Sequence, residues 1–443
     1  MSANLHVIVG LGVTGFSCAR YLKEQGIPFA VVDTRENPPQ LNLFQEAFPD
    51  VSLSLGKWDE TVFKDAAYII LSPGVSVDEP LIAAQRKRGI PVIGDIELFV
   101  KNSHVPIIAI TGTNAKSTVT TLVGKMMEAA GYRVQVGGNL GIPALDLIDK
   151  AHPPEVFVLE LSSFQLETTY SLRAKVASVL NITPDHLDRH KTMAQYQLAK
   201  HRIYEQCQLA IYNRDDRLTY TDHVSNKLAF TMQLPAKDEF GLMEKAGNTY
   251  LAFGEQLLLA VNELPVIGKH YQANALAALA IGHGFGLPFE PMLDVLRQFK
   301  GLPHRCQLVR ERDGVRWYND SKGTNVGATQ AAIEGLGSVI PGKLILIAGG
   351  LGKGADFSPL LPFIRKYVRH VVLMGTAAAE LAALFASEVP YSMADSMEEA
   401  VQVAAQQALP KDSVLLSPAC ASYDMFKHFE HRGDVFTALV NKL

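Results

Sequence analysis

The segment ITGTNAKST, residues 110–118, has the composition of a loop that binds phosphate. It lies between the apolar run VPIIAI and a helix-like segment, and its Lys116 and Ser117 could reach phosphate and magnesium, respectively. Ile110 and Ala115 stand at the two glycine positions of the strict phosphate-loop pattern, so an ordinary strand-to-helix turn is a second interpretation. If position 115 has a positive φ, alanine there costs about 1 kcal/mol, which a folded domain tolerates.

Acidic and basic side chains follow the next two apolar segments, at the edge where open α/β sheets bind ligands. Glu160 lies near the end of the run VFVLEL, and burying an unpaired carboxylate there would be costly. A magnesium ion shared with Ser117 would compensate the charge, and so would a salt bridge to a lysine. His186 follows in NITPDHLDRH, where it is either a ligand or substrate contact or a structural histidine.

Lysines occur in three further segments. Lys200 lies four residues after Tyr196, so the two share a helix face, but alone this position is typical of a solvent-exposed lysine. Lys322 in NDSKGTN and Lys353 in GGLGKGADF follow apolar strands, as does the segment SPACASYDMF. Lysines and hydroxyls at one sheet edge predict a pocket for carboxylate or phosphate, and the alternative is that they only cap helices.

The N-terminal segment contains a dinucleotide-type glycine fingerprint. Gly10, Gly12 and Gly15 follow a strand-like run and open a helix, and Asp33 ends the next strand. These glycines allow backbone N–H groups to approach any diphosphate nucleotide, so the pattern alone does not single out NAD. Tight packing of strand against helix is the alternative interpretation.

Alternation of short apolar runs with amphipathic segments predicts parallel sheets flanked by helices. The alternation restarts twice within the 443 residues, which predicts an α/β protein of three domains, residues 1–93, 94–299 and 300–443. The polar, glycine-containing stretch of residues 218–264 predicts hairpins inserted in the middle domain.

Composition argues against several classes of protein. The net charge of −4 argues against a nucleic-acid partner. Four dispersed cysteines suggest neither a zinc site nor disulfides. The absence of a long apolar run argues against a membrane span, and we expect a cytoplasmic monomer.

Taken together, GLGVTG, ITGTNAKST, ELSSFQLE, NITPDHLDRH, GLPHR, NDSKGTN and SPACASYDMF resemble the Mur ligases over essentially the whole chain. The resemblance implies a Rossmann-like N-terminal domain for a UDP substrate, a P-loop-type central ATPase domain and a Rossmann-like C-terminal domain for the amino acid. It implies ATP-dependent joining of D-glutamate to UDP-N-acetylmuramoyl-L-alanine through an acyl phosphate, in peptidoglycan synthesis.

The resemblance also implies roles for particular residues. The UDP substrate would contact nine of them: Val13, Thr14, Asp33, Thr34, Arg35, Ser72, Gly74, Asn139 and Gln165. ATP would contact seven: Asn114, Lys116, Ser117, Thr118, Asn274, Arg305 and Asp320. D-Glutamate would lie against Thr324, Lys353, Ser422, Tyr423 and Phe429. The residues expected to assist the chemistry are Lys116, His186, Lys200, Arg305 and Lys322.

Two magnesium ions are implied by the same resemblance. Ser117 and Glu160 would hold one ion, and His186 with a carbamylated Lys200 would hold the other.

Three positions depart from the family pattern, namely Ala115 for glycine, Tyr271 for asparagine and Tyr423 for an aliphatic residue. Rivals within the family add L-alanine, a diamino acid or a dipeptide, and folylpolyglutamate synthases share the last two domains. An NAD-dependent dehydrogenase would leave ITGTNAKST and NDSKGTN unexplained, and a nucleotide-binding regulator without turnover is the remaining alternative.

Overall fold

The computed structural model describes residues 5–266 and 268–443, and its strands form three successive sheets of five, nine and six strands. Each apolar run named above as a strand is one, so the predicted α/β class is confirmed.

The first sheet has the strand order β3-β2-β1-β4-β5 and is parallel throughout. Its glycine fingerprint runs from the end of the central strand into the first turn of the first helix, and a Cβ on Gly15 would stand 1.9 Å from the carbonyl oxygen of Gly10. The elements of this part are β1 Leu5–Val9, α1 Val13–Glu24, β2 Phe29–Asp33, α2 Leu41–Ala47, β3 Leu53–Leu55, β4 Ala66–Leu71, α3 Pro80–Lys87, β5 Val92–Ile93 and α4 Asp95–Lys101.

The second sheet has the order β14-β13-β12-β11-β10-β9-β6-β8-β7. Its elements are β6 Ile107–Thr111, α5 Lys116–Ala129, β7 Val134–Gly138, β8 Val156–Glu160, α6 Ser163–Glu167, β9 Val176–Val179, α7 Leu187–His190, α8 Met193–His201, β10 Leu209–Asn213, β11 Lys227–Phe230, β12 Glu239–Lys245, β13 Asn248–Phe253, β14 Gln256–Ala260, α9 Lys269–Phe285 and α10 Phe289–Gln298. The strands β12 to β14 pair antiparallel, which confirms the predicted hairpins, whereas β11 pairs parallel to both neighbours.

The third sheet has the order β15-β16-β20-β17-β18-β19, and only β15 runs antiparallel to its neighbour. Its elements are β15 Gln307–Arg312, β16 Val315–Asn319, α11 Val326–Gly337, β17 Leu344–Gly349, α12 Leu361–Tyr367, β18 Val368–Met374, α13 Ala378–Phe385, β19 Tyr391–Met393, α14 Met397–Gln407, β20 Ser413–Leu416 and α15 Phe429–Lys442.

The three sheets direct the carboxyl ends of their parallel strands toward shared clefts. The loops after β1 and β4 line one cavity together with residues of the middle sheet, and the loops after β6, β9 and β16 line another. No helix of the described ranges is long and apolar enough to cross a bilayer.

Candidate functional site

The loop between β6 and α5 turns through a left-handed residue directly before the helix. Ala115 has φ 67° and ψ −9°, a left-handed conformation that residues other than glycine rarely adopt, so the condition under which alanine is costly at this position is met. The first N–H groups of a helix have no partner within it, and the helix dipole favours an anion there. The start of α5 therefore favours an anion over a cation.

Asn181 braces this loop from the end of β9. Its side-chain oxygen accepts a hydrogen bond of 2.8 Å from the N–H of Asn114, and its amide nitrogen donates to the carbonyl of Asn114 at 3.1 Å. The neighbouring Thr113 hydroxyl lies 3.2 Å from the phenol oxygen of Tyr196. The loop is thus held by side chains from two other elements.

Two lysine ammonium groups meet at the loop. Lys116 Nζ donates to the carbonyls of Gly112 and Thr113, each at 2.9 Å, and Lys200 Nζ donates to the carbonyl of Gly112 at 2.8 Å. Burial lowers the pKa of Lys116, and burial followed by repulsion from Lys116 holds the pKa of Lys200 well below its ordinary value.

The interpretation of Lys200 as an exposed helix lysine is wrong, because the residue is only 1% exposed. α8 turns it inward toward the phosphate loop, and its Nζ lies 4.6 Å from the centre of the Tyr196 ring, so the two do share a face.

Glu160 is buried at the end of β8 with only half of its carboxylate satisfied. Oε1 accepts a hydrogen bond of 2.6 Å from the Asn139 amide, while Oε2 is buried without a hydrogen-bond partner. Among the described residues Glu160 has no ion pair, which argues against the salt bridge to a lysine.

The donor set at Glu160 fits magnesium. Magnesium usually takes one or two protein carboxylates together with waters and substrate phosphates. An orphaned carboxylate oxygen, with the Ser117 hydroxyl at the start of α5, meets that requirement. No group of three His, Cys, Asp or Glu side chains suited to a metal occurs in residues 5–266 and 268–443, so further ligands would have to come from elsewhere.

His186 directly precedes α7 and has a left-handed φ of 54°. Its Nε2 lies 3.6 Å from the Asp185 carboxylate, and its ring packs edge-on against Phe164 with centroids 4.9 Å apart. Burial lowers the pKa of His186 against the opposing effect of Asp185, and the nearby lysines, including Lys353, act in the same direction as burial. A neutral imidazole is the form able to coordinate a metal.

A large cavity of about 1280 Å³ lies between the first and second sheets. It is lined by every residue for which a contact to the UDP substrate was predicted: Val13, Thr14, Asp33, Thr34, Arg35, Ser72, Gly74, Asn139 and Gln165. Lys353 of the third part also lines it, as does His186. The structure brings these residues together, and their contacts to a ligand stay predictions.

Asp33 braces the glycine loop at the wall of this cavity. Its Oδ2 accepts a hydrogen bond from the Leu11 N–H at 2.7 Å, and its carboxylate pairs with Arg35, the closest atoms being 2.6 Å apart. Burial raises the pKa of Asp33, but the Arg35 guanidinium and the Leu11 N–H outweigh burial, and the net pKa is lowered.

A smaller cavity of about 280 Å³ adjoins the phosphate loop. It is lined by six residues predicted to contact ATP or to assist the chemistry, namely Asn114, Thr118, Asn274, Arg305, Asp320 and Lys322, and also by Tyr271. An Arg305 N–H donates to the Ser117 hydroxyl at 2.7 Å. This hydrogen bond links the segment that precedes β15 to the start of α5.

Burial shifts the charged groups of this smaller cavity. It raises the pKa of Asp320 to about 6 and lowers the pKa of Lys322 to about 8. The Lys322 Nζ lies 3.7 Å from the centre of the Phe429 ring.

The residues predicted to contact D-glutamate lie in the segments that follow the third-sheet strands β16, β17 and β20. Lys353, with φ 52°, points its Nζ toward the Tyr423 ring, 5.9 Å from its centre. Tyr423 is 67% exposed and Ser422 only 2% exposed. Of this set only Lys353 lines either of the two cavities; Thr324, Ser422, Tyr423 and Phe429 do not.

Asn325 received no role from its sequence motif, yet it joins two parts of the structure. Its Nδ2 donates to Asn114 Oδ1 at 3.2 Å and to Asp185 Oδ2 at 3.0 Å, while its Oδ1 accepts from the Ala328 N–H and caps α11.

Asn181 also received no role from the sequence. Its place shortly after a buried strand, at the edge where ligands bind, is the feature from which a role could have been predicted.

Family models match three stretches of the chain. Residues 4–94 match a Mur ligase MurD-like N-terminal domain, residues 110–282 a Mur ligase middle domain, and residues 304–420 a Mur ligase glutamate ligase domain.

Curated relatives match over nearly the full length. The chain is 52% identical over 437 residues to a UDP-N-acetylmuramoylalanine–D-glutamate ligase of Pseudomonas putida, covering 98% of this chain and 97% of the relative. It is 49% identical over 448 residues to the Legionella pneumophila protein of the same name, and 51% identical over 442 residues to that of Coxiella burnetii, each with 100% coverage of both chains.

Solved structures share the fold at low identity. The UDP-N-acetylmuramate–alanine ligase of Thermotoga maritima aligns with a TM-score of 0.63 at 17% identity, covering 99% of both chains. A MurF ligase of the same organism in complex with ADP aligns with a TM-score of 0.63 at 17% identity, covering 93% of this chain and 95% of that one.

Proposed function

This chain belongs to the Mur ligase family, and we propose that it joins D-glutamate to UDP-N-acetylmuramoyl-L-alanine at the expense of ATP, a step of peptidoglycan synthesis. The observation that carries this conclusion is the match to D-glutamate ligases at about half identity over nearly the whole chain. A dehydrogenase would have no use for the phosphate loop or for the lysines around it, which argues against that alternative.

We assign the three substrates to three domains. Residues 1–93 would bind the UDP moiety, residues 94–299 ATP and residues 300–443 D-glutamate. The assignment is supported by the large cavity beside the first sheet and the small cavity beside the phosphate loop. Val13, Thr14, Thr34, Ser72, Gly74 and Gln165 would hold the UDP substrate directly.

ATP would bind with its phosphates at the start of α5. Lys116 stands beside the N–H groups of this helix end, where it would exchange its two carbonyl partners for phosphate oxygens. Arg305 reaches the same helix end through Ser117, and Asn274 and Asp320 line the adjoining cavity. Fixed positive groups at this point favour the charge that develops as the substrate carboxylate attacks the γ-phosphate.

Two magnesium ions, when bound, would neutralise phosphate charge and polarise the transferred group. Ser117 and Glu160 would hold one of them, which is supported by the orphaned Glu160 oxygen. His186 and Lys200 would hold the second if Lys200 is carbamylated. The lowered pKa of Lys200 supports that modification, because only the neutral amine can attack carbon dioxide.

D-Glutamate would enter from the third domain. Lys322 and Lys353 carry positive charge toward the two cavities and would pair with its carboxylates, near Thr324, Ser422, Tyr423 and Phe429. The amine of D-glutamate would attack the acyl phosphate, and holding both reactants in place would supply much of the rate. We further propose that the protein is cytoplasmic, since the reaction draws on ATP and a nucleotide-linked precursor. We propose that it acts as a monomer, since residues of one chain line both cavities.

The test is phosphate release from ATP with magnesium and UDP-N-acetylmuramoyl-L-alanine, comparing D-glutamate with L-glutamate, L-alanine and diaminopimelate. Release that requires D-glutamate is the expected result. Release with a different amino acid would move the chain to another branch of the family, and ATP binding without release would favour a regulator.

A further inference from the structure

Tyr271 connects the smaller cavity to the segment that precedes β15. It lies in the first turn of α9, is 6% exposed and lines the smaller cavity. Its hydroxyl donates a hydrogen bond of 2.8 Å to the main-chain carbonyl oxygen of Arg305, 34 residues further along the chain.

The connecting segment is shaped around this hydroxyl. Gly301 has φ 85°, and a Cβ at that position would stand 2.8 Å from the Tyr271 hydroxyl oxygen. The hydroxyl therefore occupies the space that a side chain at position 301 would need. Glycine meets both requirements, namely the left-handed backbone and the close approach.

The backbone on either side of Arg305 is in an unfavourable conformation. His304 has φ 60° and Cys306 has φ 45°, which L-residues adopt at a cost. Such a conformation persists only where surrounding contacts hold it. The contacts here include the Tyr271 hydroxyl on the Arg305 carbonyl, Asp320 on the Cys306 N–H at 3.1 Å and the Lys322 N–H on the His304 carbonyl at 3.1 Å.

The Arg305 side chain depends on this arrangement of its main chain. The guanidinium donates to Ser117 at 2.7 Å and has no ion pair with a carboxylate among the described residues, and burial lowers its pKa. Glu160 and Asp320 attract the guanidinium without forming an ion pair, so the reach of the side chain to Ser117 depends on where its backbone is held.

We propose that the Tyr271 hydroxyl is a positioning group for Arg305, fixing its main chain so that the guanidinium reaches the phosphate-binding end of α5. Binding of ATP by this chain consequently depends on a hydroxyl that touches no phosphate. The inference rests on the proposed ATP-dependent function and concerns only the ATP site.

The test compares Tyr271→Phe with Tyr204→Phe. Tyr204 is a matched control, because it is also a buried tyrosine of the middle part whose hydroxyl donates to a main-chain carbonyl, that of Ile211 at 2.7 Å, and it lines neither cavity. Calorimetry measures the Kd of the β,γ-imido analogue of ATP with magnesium, and steady-state kinetics give kcat/KM for ATP and KM for the UDP substrate.

We expect Tyr271→Phe to weaken binding of the analogue about tenfold and to lower kcat/KM for ATP by a similar factor, with KM for the UDP substrate unchanged. Tyr204→Phe is expected to lower Tm without either effect. In an Arg305→Lys background the substitution at Tyr271 should weaken analogue binding no further, because the group that it positions has been replaced.

Analogue binding at the wild-type Kd in Tyr271→Phe would overturn the proposal, and so would independent, multiplicative effects of Tyr271→Phe and Arg305→Lys. If Tyr271→Phe does not fold, Gly301→Ala displaces the same hydroxyl and is expected to raise the Kd of the analogue; an unchanged Kd would overturn the proposal. Failure of the wild-type protein to use D-glutamate would instead refute the proposed function and leave the binding comparison intact.

Discussion

The side-chain nitrogen of Lys200 donates a hydrogen bond of 2.8 Å to the carbonyl oxygen of Gly112, inside the loop that precedes α5. A buried ammonium in this position repels Lys116, and both its burial and this repulsion lower its pKa. Modification of the amine to a carbamate would replace the repulsion by attraction and supply an oxygen ligand for a metal.

We therefore predict that Lys200→Ala loses at least 100-fold in kcat and that added short-chain carboxylic acid partly restores it, as expected for a missing carboxylate-like ligand. Phosphate release measures both effects. Lys125→Ala is the control, because Lys125 is an exposed lysine of α5. Absence of rescue in a folded Lys200→Ala protein would count against carbamylation.

Glu160→Gln tests the proposed magnesium site. Oε2 of Glu160 is buried without a partner, so the amide should fold in its place while removing the negative charge. We expect the magnesium concentration for half-maximal activity to rise at least tenfold, roughly 1.4 kcal/mol of lost metal affinity. Glu128→Gln, at an exposed position of the same α5, should leave it unchanged. An unaltered magnesium requirement in Glu160→Gln would contradict the assignment.

The strands and the phosphate loop could be predicted from the sequence because their signals are local. Apolar runs such as VFVLE form β8, and the positive φ of Ala115 follows from the sharp turn between β6 and α5. The braces of that loop are not local. Asn181 lies 67 residues from Asn114, and Asn325 lies 211 residues from it.

The burial of Lys200 could not be predicted from the sequence either. Its helix face was identified from its spacing to Tyr196, but whether that face meets solvent or the loop depends on how α8 packs. The alternative for Glu160, a salt bridge, likewise could not be excluded until its surroundings were visible.

Ala115→Gly should stabilise the protein slightly. Alanine at φ 67° is strained by about 1–2 kcal/mol, and glycine removes this strain. Glycine also increases the conformational entropy of the unfolded chain, which offsets part of the gain. We expect a gain of about 0.5–1 kcal/mol in the free energy of unfolding, measured by urea titration. Ala130→Gly, at φ −82° after the same helix, should lower stability instead. A loss of stability in Ala115→Gly would show that its backbone is not strained.

The buried carboxyl of Asp95 should make the free energy of unfolding depend on pH. It is 2% exposed, burial raises its pKa to about 6, and its Oδ1 has no partner while Oδ2 accepts from Gln165. Between pH 3.8, the ordinary pKa of aspartate, and about pH 6, the folded chain holds more protons at Asp95 than the unfolded chain does. The contribution of Asp95 to the free energy of unfolding therefore falls as the pH rises through that window.

Asp95→Asn should remove this dependence. Relative to the wild type, the variant is expected to gain on the order of 1–3 kcal/mol at pH 7 and to converge toward the wild type near pH 4, since the amide keeps the Gln165 contact and carries no charge. Urea unfolding at several pH values gives the comparison. A stability difference that is independent of pH would show that Asp95 does not titrate in that window.

Asn325 offers a way to separate helix capping from contact between the second and third parts of the molecule. Its Oδ1 caps α11, while its Nδ2 donates to Asn114 and Asp185. Serine can cap a helix but has no amide to reach across, whereas alanine can do neither. We expect Asn325→Ala to lose about 1 kcal/mol more stability than Asn325→Ser, because both variants lose the contacts of Nδ2 and only alanine also loses the cap.

Both substitutions at Asn325 should lower kcat by a similar factor of about ten, because each loses the hydrogen bonds that join this residue to Asn114 of the phosphate loop and to Asp185. Thermal unfolding and phosphate release measure the two quantities on the same samples. If activity instead followed stability, with Asn325→Ser near the wild type, Asn325 would serve only as the cap of α11, and its contact to the phosphate loop would not contribute to the reaction.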